Sequence, residues 1–430
     1  MRETSIRTEL DANGILFACI DMPGRAMNVF SRELMDALER VIAQAETDAA
    51  VRAVVLTSGK ATFLAGADLE MIKMFTERAR GGSTDELREL FGHLGRLFRR
   101  LELSPKPFVA AINGLALGGG LEVCMACHAR VVADDPSIQL GLPEIKLGLL
   151  PGAGGTQRLP RLIGTAAGLR MLLGGEPVSP REALDLRLVD ELVPPDRLIA
   201  AARRKALALA DHRAPWDREG ASFDSTPFDF AYEEVFAQIA QFAGVSDYQM
   251  RHYPAYRAIM QCVTGGWNLP MTEANEYEMS VFVELMRDPV AGNMVRTLFL
   301  NRQKAAKLGL LAADSPLASE PHALLHRLRE AQDRAHACGC DEEEILLAVA
   351  FAAIEAWGEG CVDQPELADV AVVLSGLYPS YTGGPFNYLR QIGSEALRRR
   401  AIEAAPKCAW MFAVPAALDR YFRPLSTIAA

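Results

Sequence analysis

The first half of the chain alternates short apolar runs with amphipathic ones, and this pattern predicts strands that alternate with helices. Asn13-Gly14 is a strong hairpin-turn signal, and the apolar run Ile15–Ile20 follows it directly. Val51–Thr57 and Phe108–Ile112 are predicted to be buried strands because most of their residues are apolar. This alternation over residues 1–210 indicates an α/β fold.

Helix starts in this region are predicted from caps that precede apolar faces. Ser31 and Ser83 each precede an amphipathic run, and Ser179 precedes a proline that suits the first turn of a helix. The strand pattern ends near residue 211. From residue 231 onward the patterns are helical, with one break at Asp288-Pro289.

These changes predict three parts. Residues 1–210 are expected to form the α/β domain, 211–315 a connector and helical linker, and 316–430 an all-α domain.

Composition narrows the class of protein. Half of the 430 residues are apolar, so a large core is expected, and the net charge of −10 argues against nucleic acid as the main partner. The eight cysteines show no framework spacing, which suits a reducing compartment. No targeting segment is visible, and no apolar run reaches the ~18 residues of a membrane span. A cytoplasmic protein without a membrane span is expected.

Two glutamates beside glycine-containing turns are the main candidates for chemistry. Glu122 follows Gly118-Gly119-Gly120, and Glu144 follows Gly141-Leu142-Pro143. A lone glutamate near a helix start is usually a solvated charge. Both of these have apolar neighbours in sequence, however, and a carboxylate held in apolar surroundings has a raised pKa and exchanges protons near neutral pH. Two such groups could hold one water molecule between them.

Two turns offer open backbone amides for a developing negative charge. Gly118-Gly119-Gly120 leaves N–H groups sterically open at a helix start, although tight strand–helix packing would explain the same glycines. Ala67 supplies a second amide just before another helix, where Asp68 is most simply the N-cap. If the turns converge, the two amides would form an oxyanion hole.

Other signals are weaker. Gly152–Gln157 lacks the lysine of a phosphate-binding loop and is interpreted as a tight turn into a helix that contains Gln157 and Arg158. Cys124 and Cys127 lie in an apolar helical run, which favours packing over redox or metal chemistry. No metal site is predicted.

Together these segments closely resemble the crotonase (enoyl-CoA hydratase/isomerase) family over about residues 10–205. The motifs that carry the resemblance are Phe63–Leu69, Lys106–Gly114, Ala116–Glu122, Leu140–Gly148 and Pro151–Leu159. The resemblance implies a spiral of strand–strand–helix units that binds the thioester of an acyl-CoA.

The resemblance also implies roles for individual residues. The oxyanion-hole amides fall at Ala67 and Gly119. Glu122 and Glu144 match the two catalytic glutamates, with Glu144 exchanging the proton at the α carbon and Glu122 helping to hold water. Implied substrate-binding residues are Ala65, Gly66, Asp68, Gly118 and Lys60.

The rest of the chain resembles the α subunits of bacterial fatty-acid oxidation complexes, particularly the anaerobic form. Tyr381–Tyr388 and Gln391–Gly393 look like the last helical domain of their 3-hydroxyacyl-CoA dehydrogenase half. Between about residues 310 and 340 those relatives carry an NAD-binding domain, whereas this chain shows no GxGxxG after a strand. Neither NAD nor dehydrogenase activity is therefore expected.

The predicted function is reversible hydration of trans-2-enoyl-CoA to 3-hydroxyacyl-CoA. Δ3–Δ2 enoyl-CoA isomerisation is a compatible side activity, since Glu144 could move a proton between C4 and C2. No cofactor is expected, because coenzyme A is part of the substrate, and a thiolase or a separate dehydrogenase is a candidate partner. The alternatives are a non-catalytic acyl-CoA-binding or scaffold subunit, and another crotonase-family reaction.

Overall fold

The computed structural model of the chain describes residues 4–209, 212–310 and 319–423. These residues divide into two compact units, the first ending at Asp288 and the second beginning at Pro289. The predicted domain boundaries at 210/211 and 315/316 fall outside the described residues, so the three-part division stays a prediction.

Strands occur in the first unit. They are β1 (Ile6–Leu10), β2 (Ile15–Ile20), β3 (Ala53–Ser58), β4 (Leu64–Ala65), β5 (Phe108–Ile112), β6 (Ala116–Leu117), β7 (Ala129–Ala133), β8 (Leu140–Gly141) and β9 (Glu191–Val193). The larger sheet has the order β1-β2-β3-β5-β7-β9, with β1 and β2 antiparallel and the other pairs parallel. The smaller sheet, β4-β6-β8, is parallel. This mixed α/β arrangement agrees with the predicted class.

The hairpin between β1 and β2 has a local cause. The Asp11 carboxylate accepts hydrogen bonds from the N–H groups of Asn13 at 2.8 Å and Ile15 at 2.9 Å, which closes the turn. The predicted turn at Asn13-Gly14 is therefore confirmed. The neighbouring strands β3 and β5 are buried along their whole length, as expected of parallel strands covered on both faces.

Helices pack around these sheets. In the first unit they are α1 (Arg32–Thr47), α2 (Leu69–Arg78), α3 (Thr84–Glu102), α4 (Gly119–Ala126), α5 (Gly155–Ile163), α6 (Thr165–Gly174), α7 (Pro180–Asp185), α8 (Leu198–Ala208), α9 (Val235–Ala243), α10 (Asp247–His252), α11 (Pro254–Gly266) and α12 (Met271–Arg287), with 3₁₀ turns at Pro143–Leu147, Pro195–Arg197 and Pro215–Asp217. Ser31, Ser83 and Ser179 each cap the helix predicted for them. The predicted break at Asp288-Pro289 is also confirmed, since α12 ends at Arg287.

The order of the elements brings three turns to one place. Strands β3 and β4, β5 and β6, and β7 and β8 follow one another in pairs, each pair giving one strand to each sheet before a helix begins. Because β4, β6 and β8 are parallel neighbours, their carboxyl ends lie at the same edge of the smaller sheet. Ala67, Gly119 and Glu144 follow these three ends directly.

The described residues of the second unit form helices joined by turns and irregular segments, without a strand. Its helices are α13 (Pro289–Met294), α14 (Arg302–Lys307), α15 (Ser319–Ala337), α16 (Glu342–Gly358), α17 (Pro365–Leu374), α18 (Pro385–Ile392), α19 (Ser394–Ala404) and α20 (Leu418–Phe422), with a π-helical turn at Val295–Asn301 and a 3₁₀ turn at Ser380–Thr382. Helix α16 is buried over most of its length and lies at the centre of a core that includes Leu328, Phe386 and Leu397. Across the described parts of both units, no helix combines the length and apolarity that crossing a membrane requires.

Candidate active site

The glutamate that follows β8 lies against the turn that follows β6. The N–H of Gly118 donates to the carbonyl of Gly141 at 2.9 Å, which joins the two turns. A Cβ added to Gly118 would lie 2.6 Å from Oε1 of Glu144, and Gly118 has a φ of +54°. Both facts require glycine at this position. The bare backbone of Gly118 therefore makes room for the Glu144 carboxyl group.

The two predicted oxyanion-hole amides lie in adjacent turns. Phe30 donates to the carbonyl of Gly66 and accepts from the N–H of Asp68, both at 2.8 Å, so the N–H of Ala67 between them points away from Phe30. The register of β4 with β6 pairs Ala65 with Leu117, and Ala67 and Gly119 each follow this pair by two residues.

Contacts of the neighbouring glycines agree with that register. A Cβ on Gly118 would lie 3.7 Å from Cα of Gly66. Gly119 is the first residue of α4, a position whose N–H has no acceptor within the helix. The structure thus brings the two turns together, as the oxyanion-hole prediction requires.

The glycines before α4 differ in what they do. A Cβ on Gly120 would overlap the carbonyl oxygen of Leu64, so this glycine allows α4 to pack on β4. Tight packing therefore explains Gly120, whereas Gly118 leaves space for a carboxyl group.

Glu122 is buried in the first turn of α4, with 3% of its surface exposed. Its Oε1 accepts hydrogen bonds from the N–H groups of Ala153 and Gly155, both at 2.8 Å. Burial raises the pKa of Glu122 to about 6, against the lowering effect of these two hydrogen bonds and of Arg158. Glu122 is therefore poised to gain or lose a proton near neutral pH.

Glu144 is partly exposed as a residue, but its carboxyl group is not. Oε2 is buried and has no hydrogen-bond partner among the described residues. Burial, followed by the nearby charges of Glu122 and Glu278, raises the pKa of Glu144 well above its ordinary value. Oε1 of Glu144 lies beside Gly118, the N-cap of α4, and Glu122 lies in the first turn of the same helix, so both predicted acids lie at the start of α4.

The segment 152–157 is the tight turn that the sequence predicted. Gly154 has a φ of +93°, and α5 begins at Gly155 and contains Gln157 and Arg158. Arg158 is fully buried, pairs with Glu102 at 2.8 Å and donates to the carbonyl of Ala153 at 2.9 Å. The backbone N–H groups of residues 153–156 in this turn all donate to glutamate side chains of the protein.

A third buried glutamate was missed from the sequence. Glu278 of α12, 1% exposed, accepts from the N–H of Gly154 at 2.7 Å, from the N–H of Thr156 at 3.1 Å and from the Thr156 hydroxyl. Burial, with a smaller effect of Glu122, raises the pKa of Glu278 to about 8. A signal was present: Glu278 continues an apolar stripe at helical spacing, made of Met271, Ala274, Val281 and Leu285, where an acidic residue is unusual.

The remaining predicted binding residues have structural partners. Asp68 caps α2 by accepting from the N–H of Glu70 at 2.8 Å, and it also pairs with Arg25, so the N-cap prediction is confirmed. Lys60 lies beyond the end of β3 and pairs with Asp21 at 3.0 Å. Ala65, in β4, donates to the carbonyl of Asn28 at 2.9 Å. Binding of a substrate by these residues stays a prediction.

Cys124 of α4 and Cys127, the residue that follows this helix, are both buried. Burial raises the pKa of the Cys127 thiol to about 12 and that of Cys124 well above its ordinary value, which supports the packing interpretation. Within the described residues, no group of three or more His, Cys, Asp or Glu side chains is arranged to hold a metal ion.

Comparisons with known proteins agree with these motifs. The model of the enoyl-CoA hydratase/isomerase family matches residues 12–215. The fatty acid oxidation complex subunit alpha of Shewanella halifaxensis is 35% identical over 317 residues, which are 72% of this chain and 42% of that protein. The protein of the same name from Shewanella baltica is 38% identical over 297 residues, 66% of this chain and 39% of that protein. The matched part therefore spans about two fifths of these relatives.

Solved structures resemble the chain over part of its length. Pseudomonas aeruginosa DspI is 33% identical with a TM-score of 0.43, covering 49% of this chain and 82% of that one. Human mitochondrial delta3-delta2-enoyl-CoA isomerase is 24% identical with a TM-score of 0.49, covering 71% of this chain and 100% of that one.

Proposed function

We propose that this chain, whose residues 12–215 match the model of the enoyl-CoA hydratase/isomerase family and which has a crotonase-like α/β fold, reversibly adds water to a trans-2-enoyl-CoA. The product is the 3-hydroxyacyl-CoA. The match to this family and to subunits of fatty acid oxidation complexes supports hydratase or isomerase chemistry, and hydration is the specific reaction that we infer.

One observation carries this proposal. Two neighbouring buried carboxyl groups have their pKa values raised to different extents, that of Glu122 to about 6 and that of Glu144 well above its ordinary range. Both carboxyl groups therefore keep a proton at higher pH than an ordinary glutamate does. Such a pair can supply one base and one acid, which is what addition of water to a double bond needs.

The proposed reaction uses both groups and both amides. The thioester oxygen accepts from the N–H groups of Ala67 and Gly119, which stabilise the negative charge that develops on it. The ionised Glu122 orients a water molecule and takes its proton as the oxygen bonds to the β carbon. Glu144 donates its proton to the α carbon, and transfer of a proton from Glu122 to Glu144 restores the resting state.

Isomerisation of a Δ3-enoyl-CoA is a second candidate reaction. The buried Oε2 of Glu144, without a hydrogen-bond partner among the described residues, favours it, because one carboxyl group could move a proton from C4 to C2.

Other expectations from the sequence remain predictions. They are an acyl-CoA thioester as the substrate, the absence of a cofactor and of dehydrogenase activity, and a cytoplasmic location. A thiolase or dehydrogenase partner and a dehydrogenase-like C-terminal helical domain also remain predictions. The relatives named as subunits of a fatty acid oxidation complex motivate the search for a partner.

The function is tested with the full chain and enoyl-CoA substrates. Crotonyl-CoA and a longer 2-enoyl-CoA are supplied, and loss of the absorbance of the conjugated thioester is followed. We expect turnover by the unaltered chain and a fall of at least about 100-fold in kcat for Glu144→Gln, because the substitution removes the proton donor.

Glu273→Gln is the matched control, since Glu273 is exposed on α12. Its kcat should stay within about twofold of the unaltered chain. If the unaltered chain and Glu144→Gln are equally inert at every chain length, the hydratase proposal is wrong. Calorimetric binding of the enoyl-CoA by such an inert chain would then support the alternative of an acyl-CoA-binding subunit.

A further inference from the structure

Two glutamates share the amides of one turn in alternation. The N–H groups of Ala153 and Gly155 donate to Glu122, at 2.8 Å each. Those of Gly154 and Thr156, at 2.7 and 3.1 Å, donate to Glu278. Four consecutive amides are thus divided between a carboxylate of α4 and a carboxylate of α12.

The turn has little freedom to move within this arrangement. A Cβ on Gly155 would lie 2.7 Å from Oε1 of Glu122, so the backbone lies directly on that carboxyl group. The Thr156 hydroxyl reaches Glu278, and Gln157 donates to the same hydroxyl at 3.0 Å. Loss of the hydrogen bonds between Glu278 and the turn must therefore also change the position of the amides that donate to Glu122.

A purely structural role would be served better by another residue type. Glu278 lies on the apolar stripe of α12, where an aliphatic side chain would pack without the cost of burying a carboxyl group. A glutamate is useful there because it can accept from the turn. Burying a carboxyl group costs free energy, so the presence of Glu278 here indicates that the site requires its hydrogen bonds to the turn.

We propose that Glu278 is a positioning residue of the active site: by holding the amides of Gly154 and Thr156, it orients the turn that holds Glu122. This inference rests on the proposed function. It assigns to α12, which lies in the predicted linker, a part in chemistry that the family motifs, which end at Leu159, do not contain.

Glu278 also faces the charges of the site. Glu122 of α4 raises the pKa of Glu278. Glu278 in turn raises the pKa of Glu144, in the 3₁₀ turn at Pro143–Leu147, and of Cys262 in α11. The cationic groups are Arg158 and Arg161 of α5, while Arg96 and Arg99 of α3 line a cavity of about 30 Å³ beside Glu278, with Glu276 of its own helix.

This surrounding makes the role of Glu278 depend on pH. The pKa of Glu278 is raised to about 8, so its negative charge develops as the pH rises through that value. The same charge contributes to raising the pKa of Glu144. Removing it should let Glu144 lose its proton at lower pH.

The test compares Glu278→Gln and Glu278→Asp with the exposed control Glu273→Gln on the same helix. For Glu278→Gln we expect kcat to fall at least about tenfold with KM within about twofold, since one amide of the turn loses its acceptor. The alkaline limb of kcat/KM should also move to lower pH. Glu278→Asp keeps the negative charge, but its side chain is too short to accept from both Gly154 and Thr156. Its kcat should therefore fall while the alkaline limb of kcat/KM stays at the same pH. Glu273→Gln should change neither.

A wild-type kcat and an unmoved alkaline limb for Glu278→Gln, with only a lower melting temperature, would overturn the proposal. If that variant does not fold, Thr156→Val decides, because it removes the hydroxyl that reaches Glu278 and keeps the N–H. A several-fold loss of kcat at unchanged KM would support the proposal, and an unchanged kcat would contradict it.

A readout without turnover separates this inference from the proposed function. Carboxyl ¹³C NMR of glutamate-labelled protein identifies the Glu122 signal as the one missing in Glu122→Gln. In Glu278→Gln that signal should titrate at higher pH than in the unaltered chain, because a turn that Glu278 no longer holds donates less well to Glu122, whether or not the chain hydrates enoyl-CoA. An identical titration would refute the inference, whereas inertness of the unaltered chain refutes only the function.

Discussion

The two units both bury acidic side chains, but they do so in different ways. In the first unit Glu122, Glu144 and Glu278 lie around two glycine turns; Glu122 and Glu278 raise the pKa of Glu144, and Glu122 raises that of Glu278. In the second unit Asp369 of α17 accepts from the N–H groups of Phe386 at 2.9 Å and Asn387 at 3.0 Å, one at each oxygen.

The pKa is raised in both places, to about 8 for Asp369 as for Glu278, chiefly by burial. Asp369 satisfies the start of α18, where helix amides lack acceptors. Glu144 instead keeps one buried oxygen that has no partner among the described residues. A raised pKa alone therefore does not indicate an active site. The candidate site differs from Asp369 in its neighbouring carboxyl groups and in the unsatisfied oxygen of Glu144.

The largest expected difference between the units is in the kcat of variants that each lack one buried acid. Glu122→Gln should lower kcat for hydration at least about 100-fold, because a neutral amide cannot take the proton of water. Asp369→Asn should leave kcat within about twofold of the unaltered chain. The measurement is steady-state hydration of crotonyl-CoA at pH 7, and similar losses in both variants would contradict the distinction drawn between the units.

Glycines give a second contrast of smaller effect. Gly118→Ala places a Cβ 2.6 Å from Oε1 of Glu144 and should lower kcat by about 10- to 100-fold by displacing that group. Gly376→Ala in the second unit is the matched control, because Gly376 has a φ of +76° but nothing within 4 Å of its Cβ position. Both variants meet the cost of a positive φ, on the order of 1 kcal/mol. Only Gly118→Ala should lose activity beyond its loss of stability, as kinetics and thermal unfolding together would show.

The pH dependence should also separate the units. Glu122, with a pKa of about 6, takes up a proton as the pH falls, so kcat/KM for hydration should decline below about pH 6. Asp369 holds a proton in the folded state up to about pH 8, against an ordinary value of 3.8, so its contribution to stability is lost as the pH rises through that window. The fall in melting temperature between about pH 5 and pH 8 should be shallower for Asp369→Asn. An equal fall in both proteins would show that Asp369 does not contribute.

Local chemistry explains how much of the fold was predictable. The strand Phe108–Ile112 and the helix starts at Ser31, Ser83 and Ser179 depend on apolar runs and on caps only a few residues away. These signals act within one turn or one strand, so they survive without knowledge of the rest of the chain.

The candidate site was partly predictable for a related reason. Ala67, Gly119 and Glu144 each follow a short strand, and parallel strands bring such ends to one edge. Glu278 was missed because its partners Gly154 and Thr156 lie more than 120 residues away along the chain. A pattern read along α12 shows an acid on an apolar stripe, but it cannot show which amides that acid meets.

The amino-acid order thus specified where strands, helix caps and glycine turns would form, and which two acids stood beside bare backbone. Packing of α12 and α4 on the Gly152–Thr156 turn added what distance along the chain conceals: a third carboxyl group, the sharing of four amides between two acids, and separated pKa values. The physical reason is range. Caps and turns depend on neighbours in sequence, whereas burial and Coulomb interactions depend on neighbours in space, which only the folded chain brings together.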